Sequence, residues 1–329
     1  MTSNEQGVVQ KSRLLRLLAQ LLLLLCFCSA TAGTGPHEPG PQAHRLYIIH
    51  TPDNSLHSSI IQKISDILKL KRPDINVSGI SYEEKTREVD NENDMIIGIG
   101  AQGIQSADAN YPNNRKLFIS TDPNKHKLHS ERNKNDAILY MAQPYCRQIQ
   151  LIRLLNRQWK TISILNSATK PIDYTAIQQC ANEHDIKIYM VSTVGKGDLS
   201  KKIKHALHYS DILLALPDSK IYNSKTVKNI LLTSYRYRKP VIAFSKSFVR
   251  AGALAAIYSD TDNIAQSASR LIEQRFDTDT LLEPVNHPDK YEIGINKQVF
   301  RALDITIPDV DTLKKILDQT EPGNTGKLQ

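Results

Sequence analysis

The stretch Asp211–Ser245, DILLALPDSKIYNSKTVKNILLTSYRYRKPVIAFS, decides the fold. Its apolar run at residues 212–216 stops at Pro217-Asp218, which predicts a buried parallel strand that delivers a loop. A helix is predicted from Ser224, a residue type that favours N-caps, to Tyr235. Residues 241–244 form a second apolar strand that ends at Ser245. Strand, loop, helix and strand make one βαβ unit, whose loops leave the carboxyl ends of strands, where open α/β sheets bind ligands.

Strands and helices alternate through the rest of the chain in two consecutive series. The first series begins near residue 45, and the second begins near residue 145 and ends in the unit just described. Two such series predict an α/β fold of two doubly wound, Rossmann-like lobes. Right-handed crossovers place helices on both faces of each sheet.

The first 32 residues have the pattern of a secretory signal peptide. A basic region containing Lys11 and Arg16 precedes the apolar core Leu17–Phe27, and Ala30-Thr31-Ala32 is a small-residue cleavage site. This pattern predicts export to the periplasm with cleavage near Ala32. An uncleaved N-terminal anchor is the alternative, although the apolar run is short for a membrane span. Pro and Gly enrichment predicts a flexible linker at residues 33–44, and residues 320–329 are expected to form a disordered tail.

The formal net charge is +8, which we interpret as a solvated basic surface. Nucleic-acid binding would require basic residues clustered with aromatic residues on one face. Only residues 125–134 approach such a cluster, and they include no aromatic residue. We therefore expect no nucleic-acid partner.

The longer segment Leu213–Asp260, which continues the βαβ unit with KSFVRAGALAAIYSD, resembles the substrate-binding proteins of a family of bacterial ABC transporters. The resemblance continues through residues 263–274 and through GINKQVFRALDITIP at residues 294–308, and extends more loosely back to Arg45. It implies the type I periplasmic binding protein fold, in which two lobes joined by a hinge enclose a ligand cleft. It also implies a protein without catalytic activity.

The resemblance further implies that the chain crosses between the lobes three times. The crossings are expected near Gln143-Pro144, near Val249–Gly252 and near Pro284–Lys290. An N-terminal lobe would then comprise residues 45–143 plus 252–284, and a C-terminal lobe residues 145–248 plus 289–319. The strand at residues 253–258 and the helix at residues 264–276 would both return to the first lobe.

The candidate ligand-binding residues share one position, at or just beyond the carboxyl end of a predicted strand. Two lobes that face each other would bring these residues to one cleft, where hydroxyls, amides and backbone N–H groups would bind a polar ligand. Asp218 would pair with an amine, and Tyr222 would either stack on the ligand or pack under its own loop. For each residue alone, helix capping or turn formation is the alternative. The set is Gly100, Ala101, Gln102, Thr121 and Asp122 in the first lobe and Asn166, Ser167, Asp218, Tyr222 and Ser245 in the second.

The segment Gly98–Gly103 matches G-x-G-x-x-G directly after a predicted strand, with Asp122 at a suitable distance for a ribose-binding acid. A dinucleotide-dependent enzyme is therefore an alternative. That motif belongs on the first strand of a dinucleotide domain, however, and at least two strands precede it here. We expect instead that the glycines let backbone approach a small molecule and that the helix N-terminus offers N–H donors to an anion. A tight strand-to-helix turn is the purely structural alternative.

No metal, cofactor or catalytic constellation is expected. His205 and His208 are three residues apart, as are His126 and His129, but no cysteine or acidic group completes either site. Cys146 and Cys180 remain once a signal peptide is removed, and the periplasm permits disulfides. The sequence leaves open whether these two cysteines pair.

The resemblance implies a periplasmic solute-binding protein that presents a small polar ligand to the permease of an ABC transporter. Relatives include binders of amino acids and of other small solutes. Residues 82–94 are short and charged where the family carries a longer segment, so the ligand class stays open. A ligand sensor that signals to a membrane receptor is an alternative function. A monomer is expected.

Overall fold

Two six-stranded sheets form the framework of the molecule. In the computed structural model the described residues are 44–84, 89, 94–120, 136–168, 172, 174–194, 196–278 and 281–319, and they belong to one compact unit, Ala43–Gln329. The expected signal peptide and tail lie outside the described residues, as do Thr121, Asp122, His126 and His129. The first strand begins at His44, so the last residue of the expected linker belongs to a sheet.

The first sheet is entirely parallel, with the strand order β11-β5-β4-β3-β1-β2. Every residue of its central strand β3 is buried, because helices cover both faces of the sheet. Its strands are β1 (His44–His50), β2 (Ile75–Ser81), β3 (Met95–Ile99), β4 (Arg115–Ser120), β5 (Ala137–Tyr140) and β11 (Val285–Asn286).

Among the described residues, three helices cover this first sheet. Helices α1 (Ser55–Lys71) and α8 (Thr261–Thr278) share an apolar core with one face, and α2 (Gly100–Asn110) packs on the other face. Helix α1 begins at an Asn54 cap, whose side-chain oxygen accepts hydrogen bonds from two backbone N–H groups.

The second sheet has the strand order β12-β10-β9-β8-β6-β7, and among its described strands β12 alone is antiparallel to its neighbour. Its strands are β6 (Thr161–Ser167), β7 (Lys187–Thr193), β8 (Ile212–Leu214), β9 (Val241–Ala243), β10 (Ala255–Tyr258) and β12 (Glu292–Ile295). Two sheets of this kind confirm the predicted α/β class with two doubly wound lobes.

Helices also cover both faces of the second sheet. One face packs against α3 (Tyr145–Leu155), α4 (Tyr174–Glu183), α9 (Lys297–Ala302) and α10 (Val310–Gln319). The other face packs against α5 (Lys196–His208), α6 (Val227–Arg236) and α7 (Lys246–Ala251). A disulfide between Cys146 and Cys180, whose Cα atoms are 5.2 Å apart, joins α3 to α4. These two cysteines, whose pairing the sequence left open, are therefore bonded to each other.

The structure corrects the predicted lobe assignment of residues 253–258. Strand β10 lies in the second sheet, where Ala255 pairs in parallel with Ile242 of β9, so its predicted return to the first lobe is wrong. The physical reason is the short helix α7, which ends at Gly252 with φ of 121° and brings the chain back beside β9. The chain crosses to α8 only at Ser259-Asp260, not near Val249–Gly252.

Hydrogen bonds tie the three crossings between the sheets together. Gln143 Nε2 donates to Ser259 Oγ over 2.6 Å, and Ser259 Oγ donates to the Lys290 carbonyl over 2.7 Å. His287 Nδ1 donates to the Ala142 carbonyl over 2.8 Å. The crossings at residues 141–144, 259–260 and 287–291 therefore form one connected hinge.

Candidate functional site

The hinge lies at the carboxyl edge of each sheet. The first crossing follows the end of β5 at Tyr140, and the second follows the end of β10 at Tyr258. The third enters β12 at Glu292, which pairs with Tyr258. Because parallel strands of one sheet all end at the same edge, the loops after the other strands share these two edges, where α/β sheets bind ligands.

Close packing explains the glycines between β3 and α2. Gly100 has φ of +71°, and a Cβ there would lie 2.5 Å from His57 Cε1. A Cβ at Gly103 would lie 2.4 Å from the Ile49 carbonyl oxygen. Only glycine allows the helix to approach β1 and His57 this closely. The protein's own packing therefore accounts for the G-x-G-x-x-G pattern without a dinucleotide.

The N-terminus of α2 lies at the carboxyl edge of the first sheet. Its N-cap residue, Ile99, has no side chain that can accept a hydrogen bond from the first-turn N–H groups. Ala101 and Gln102 are exposed there, and Thr51 Oγ1 donates to Gln102 Oε1 over 3.1 Å. An uncapped helix N-terminus with neighbouring hydroxyl and amide groups is suited to an anionic group such as a carboxylate.

Sequence reasoning missed two histidines at this edge. His57, on α1, is buried against Gly100, and its Nδ1 has no hydrogen-bond partner. Burial lowers the pKa of His57 below its ordinary value, and the electrostatic interaction with nearby His50 lowers it further. His57 is therefore neutral at neutral pH. The sequence indicates the burial of His57 through its position three residues before Ile60, on the apolar stripe of α1 that faces the core.

In the second lobe Asp218 and Ser167 meet although 51 residues separate them. Asp218 Oδ2 accepts from the Ser167 backbone N–H over 2.9 Å, and Oδ1 accepts from the Lys220 N–H over 3.0 Å. Asp218 is buried, and so is the Ser167 hydroxyl, which has no hydrogen-bond partner among the described residues. Each carboxylate oxygen retains a lone pair for a further donor. Asp218 thus has a turn-forming role and keeps the capacity to bind a donor.

Tyr222 packs beneath its own loop. Its ring meets Phe244 and Phe248 edge-on, with centroids 6.1 Å apart in each pair. The hydroxyl is buried without a hydrogen-bond partner, and this burial, together with the nearby Asp218 carboxylate, raises the pKa of Tyr222 well above its ordinary value. The hydroxyl is therefore neutral at physiological pH and can donate or accept one hydrogen bond.

Asn166 and Ser245 lie at the same edge. Asn166 Nδ2 donates to the Ser167 carbonyl over 3.4 Å and its Oδ1 accepts from Ser192 Oγ over 3.0 Å, whereas Ser245 Oγ lies 2.9 Å from Ser247 Oγ. Hydrogen bonds therefore connect Asn166, Ser167 and Asp218, and the Tyr222 backbone N–H donates to the Asp218 carbonyl.

The family model described as ABC transporter substrate binding protein matches residues 83–315. The chain belongs to the ABC transporter substrate-binding protein family. The resemblance found in the sequence is confirmed. Proteins of this family bind small molecules, work with the permease of an ABC transporter and are typically extracellular or periplasmic.

Solved structures place this substrate-binding protein in the type I periplasmic binding protein fold. A substrate-binding protein with adhesive properties from Clostridium difficile, in a ligand-free open structure, is 15% identical with a TM-score of 0.64, covering 81% of this chain and 96% of its own. An ABC domain from Streptococcus pneumonia in complex with L-Trp is 18% identical with a TM-score of 0.59, and the match covers 83% of this chain and 97% of that domain. A conserved domain protein from Vibrio cholerae is 18% identical with a TM-score of 0.58, and the match covers 83% of this chain and 98% of that protein. No curated protein matches the chain at a significant level.

The described ranges of this substrate-binding protein contain neither a metal-binding cluster nor a membrane-spanning helix. No cluster of three or more His, Cys, Asp or Glu side chains there is arranged to hold a metal ion. His205 instead shares a 2.7 Å hydrogen bond with the Tyr189 hydroxyl. Of the helices in those ranges, none combines the length and apolar character needed to cross a bilayer.

Proposed function

We propose that this protein is a periplasmic solute-binding protein that captures a small polar ligand between the two carboxyl edges and delivers it to an ABC transporter permease. The observation that carries the proposal is the course of the chain through the hinge, since all three crossings run between those two edges. Residues that border the same hinge from opposite lobes can then reach one ligand.

The two edges offer opposite chemistry to such a ligand. The first lobe offers the uncapped N-terminus of α2 at Gly100, Ala101 and Gln102, which suits a carboxylate or another anion. The second lobe offers the Asp218 carboxylate and the unpartnered Ser167 hydroxyl, which suit an amine. A small zwitterion such as an amino acid satisfies both edges. Thr121, Asp122, Asn166, Tyr222 and Ser245 complete the proposed set.

Ligand capture requires differential affinity for a closed state. A ligand shifts the hinge toward closure only if it contacts both lobes when closed and one lobe when open. The anionic end would bind the first lobe, and the amine would then draw the second lobe onto it. In this proposal the protein is exported by its N-terminal signal peptide, is cleaved near Ala32, acts as a monomer and performs no chemistry on its ligand.

The test is to identify what the protein binds. Freshly purified full-length protein is denatured, and the released small molecules are identified by mass spectrometry. The proposal expects a small polar solute, near one per protein chain, that raises the melting temperature when added back. NAD or another dinucleotide released in stoichiometric amount would contradict it and favour an enzyme.

A further inference from the structure

Helices α5 and α6 form an exposed face on the second lobe that the solute-binding role does not use. The two helices pack together, and Ile203 and Ile230 point from them into the same apolar core. The outward positions repeat at helical spacing, so one side of each helix faces solvent. We define the α5–α6 face by its exposed residues Lys201, Lys204, Lys228, Leu232, Tyr235 and Arg236.

This face is positively charged, and no carboxylate in the described part of the chain pairs with its cations. Between residues 197 and 238 the acidic residues are Asp198, Asp211 and Asp218. Asp198 bonds to Thr193, Asp211 lies 3.8 Å from Lys239 Nζ, and Asp218 is buried at the ligand edge. Within the described ranges none of the four cations of the face forms an ion pair with a carboxylate. The α5–α6 face therefore attracts an anionic partner.

Large apolar side chains stand among these cations. Leu232 is 47% exposed and Tyr235 is 53% exposed, and Tyr209, just beyond α5, is 55% exposed. Tyrosine has an apolar ring and a polar tip, and lysine keeps its charge in water while its stem covers apolar surface. Cations around exposed aromatic and aliphatic groups are the composition that binds the headgroup region of a bilayer.

We propose that the α5–α6 face binds the surface of a bilayer that contains anionic phospholipids. Leu232 favours lipid over nucleic acid, because an aliphatic side chain is buried at the boundary between headgroups and acyl chains and gains nothing from a phosphodiester backbone. The location also fits. Helix α5 runs from the carboxyl end of β7 to the start of β8, and α6 runs from beyond β8 to the start of β9. The face thus extends away from the ligand edge, which stays uncovered when the lobe lies on a membrane.

The experiment measures how the full-length protein partitions between buffer and vesicles. Vesicles of phosphatidylcholine with phosphatidylglycerol are compared with vesicles of phosphatidylcholine alone. The measured quantity is the ratio of the two binding constants. This ratio is compared between the wild type and its variants, so that any contribution of residues 1–32 is the same in every protein. The wild type should prefer the anionic vesicles, and added salt should abolish the preference because it screens the charges.

The decisive variant is K201Q/K204Q/K228Q/R236Q. Each Lys or Arg near an anionic surface strengthens binding by roughly fivefold, so we expect the ratio to fall by at least about a hundredfold. The matched control, K69Q/K297Q/R301Q/K315Q, removes the same charges from exposed sites on α1, α9 and α10 and should keep most of the preference. Leu232→Ser with Tyr235→Ser should weaken binding to the anionic vesicles without changing its salt dependence.

Three results would overturn the proposal. One is a wild type with no preference for anionic vesicles, and another is an equal loss in the α5–α6 variant and in its control. The third is a protein that ignores the vesicles but binds duplex DNA or polyglutamate through the same four cations, which would make lipid the wrong occupant. Both quadruple variants should keep the circular dichroism and melting temperature of the wild type, because the changed side chains are exposed and form no ion pair with the described part of the chain.

Discussion

The two lobes share one architecture and differ in the chemical groups at the carboxyl edges of their sheets. In the first lobe the edge offers donors, namely the uncapped N-terminus of α2 beside a buried neutral His57. In the second lobe the edge offers an acceptor, the Asp218 carboxylate, which is also engaged by two backbone N–H groups. In the function that we propose, a ligand that spans both edges has its anionic end toward the first lobe and its cationic end toward the second.

The lobes also differ in what reinforces them. The second lobe has the disulfide between Cys146 and Cys180, which closes a loop of 34 residues in sequence separation. The first lobe has a buried ion pair, Lys116 Nζ to Asp136 Oδ1 at 3.4 Å. A buried ion pair contributes little net stability compared with an apolar pair, whereas a disulfide restricts the unfolded chain. Loss of the disulfide should therefore destabilise the second lobe more than replacement of the ion pair by apolar residues would destabilise the first lobe.

Removing the disulfide should have the largest effect on stability. We expect C146S/C180S to lower the free energy of unfolding by about 4 kcal/mol, since the cross-link limits the entropy of the unfolded chain. Hydrogen exchange read by mass spectrometry should show lost protection in β6–β9 and unchanged protection in β1–β5. Wild-type protein treated with reductant should behave like the variant. Uniform loss in both lobes would contradict the view that they are separately reinforced.

Asp218→Asn should have the next largest effect, on ligand affinity. The amide keeps an acceptor for a backbone N–H but removes the charge, and a hydrogen bond to a charged group contributes roughly 1.5–3 kcal/mol. Affinity for an amine-bearing ligand should therefore fall about ten- to a hundredfold in calorimetric titration. The matched control is Asp304→Asn on the exposed surface, which should bind normally. Normal affinity in Asp218→Asn would leave Asp218 with its structural role alone.

Gly100→Ala should destabilise the first-lobe edge by about 1–3 kcal/mol. The Cβ of the new alanine collides with His57. The alanine must also keep a positive φ, which is strained for any residue other than glycine. Gly197→Ala is the control, because nothing lies within 4 Å of the added Cβ there. The double variant with His57→Ala should recover the part of the loss that comes from the collision. Thermal melts of the four proteins measure this, and equal melting temperatures for the two single variants would contradict it.

A smaller effect should appear in the pH dependence of stability. The pKa of His57 in the folded protein lies below its unfolded value of about 6.5, so the unfolded chain binds more protons at low pH. Stability should therefore fall as the pH drops below about 6.5, by at most about 1.4 kcal/mol per pH unit from this group. His57→Gln should flatten the curve between pH values near 5 and near 7 in urea titrations. Since burial also lowers the pKa of His287, part of the slope should remain.

The alternation of strands and helices predicted the fold well, because apolar runs and helical stripes are local features. Lobe membership is not local. Strand β10 has the same pattern whichever sheet it joins, and the turn of the short helix α7 places it beside β9. The sequence therefore predicted the class of fold and misplaced one strand.

The candidate site was predictable in position but not in chemistry. Strand ends located Gly100, Ser167 and Asp218, since parallel strands end at one edge. No spacing could show that Asp218 accepts a hydrogen bond from Ser167, or that His57 is buried against Gly100. The α5–α6 face was missed for a related reason. Its cations are spread over residues 201–236 and come together only when two helices pack. In the sequence, the basic residues are clustered instead at residues 125–134.

We propose that one ligand bridges the two carboxyl edges and closes the hinge. Small-angle X-ray scattering of the full-length protein, with and without the ligand identified by mass spectrometry, measures this closure. The ligand should reduce the radius of gyration of the wild type. The reduction should be much smaller in Asp218→Asn, even at ligand concentrations that saturate it, because the contact to the second lobe is weakened. Full binding with an unchanged radius of gyration in the wild type would show that the ligand does not close the hinge.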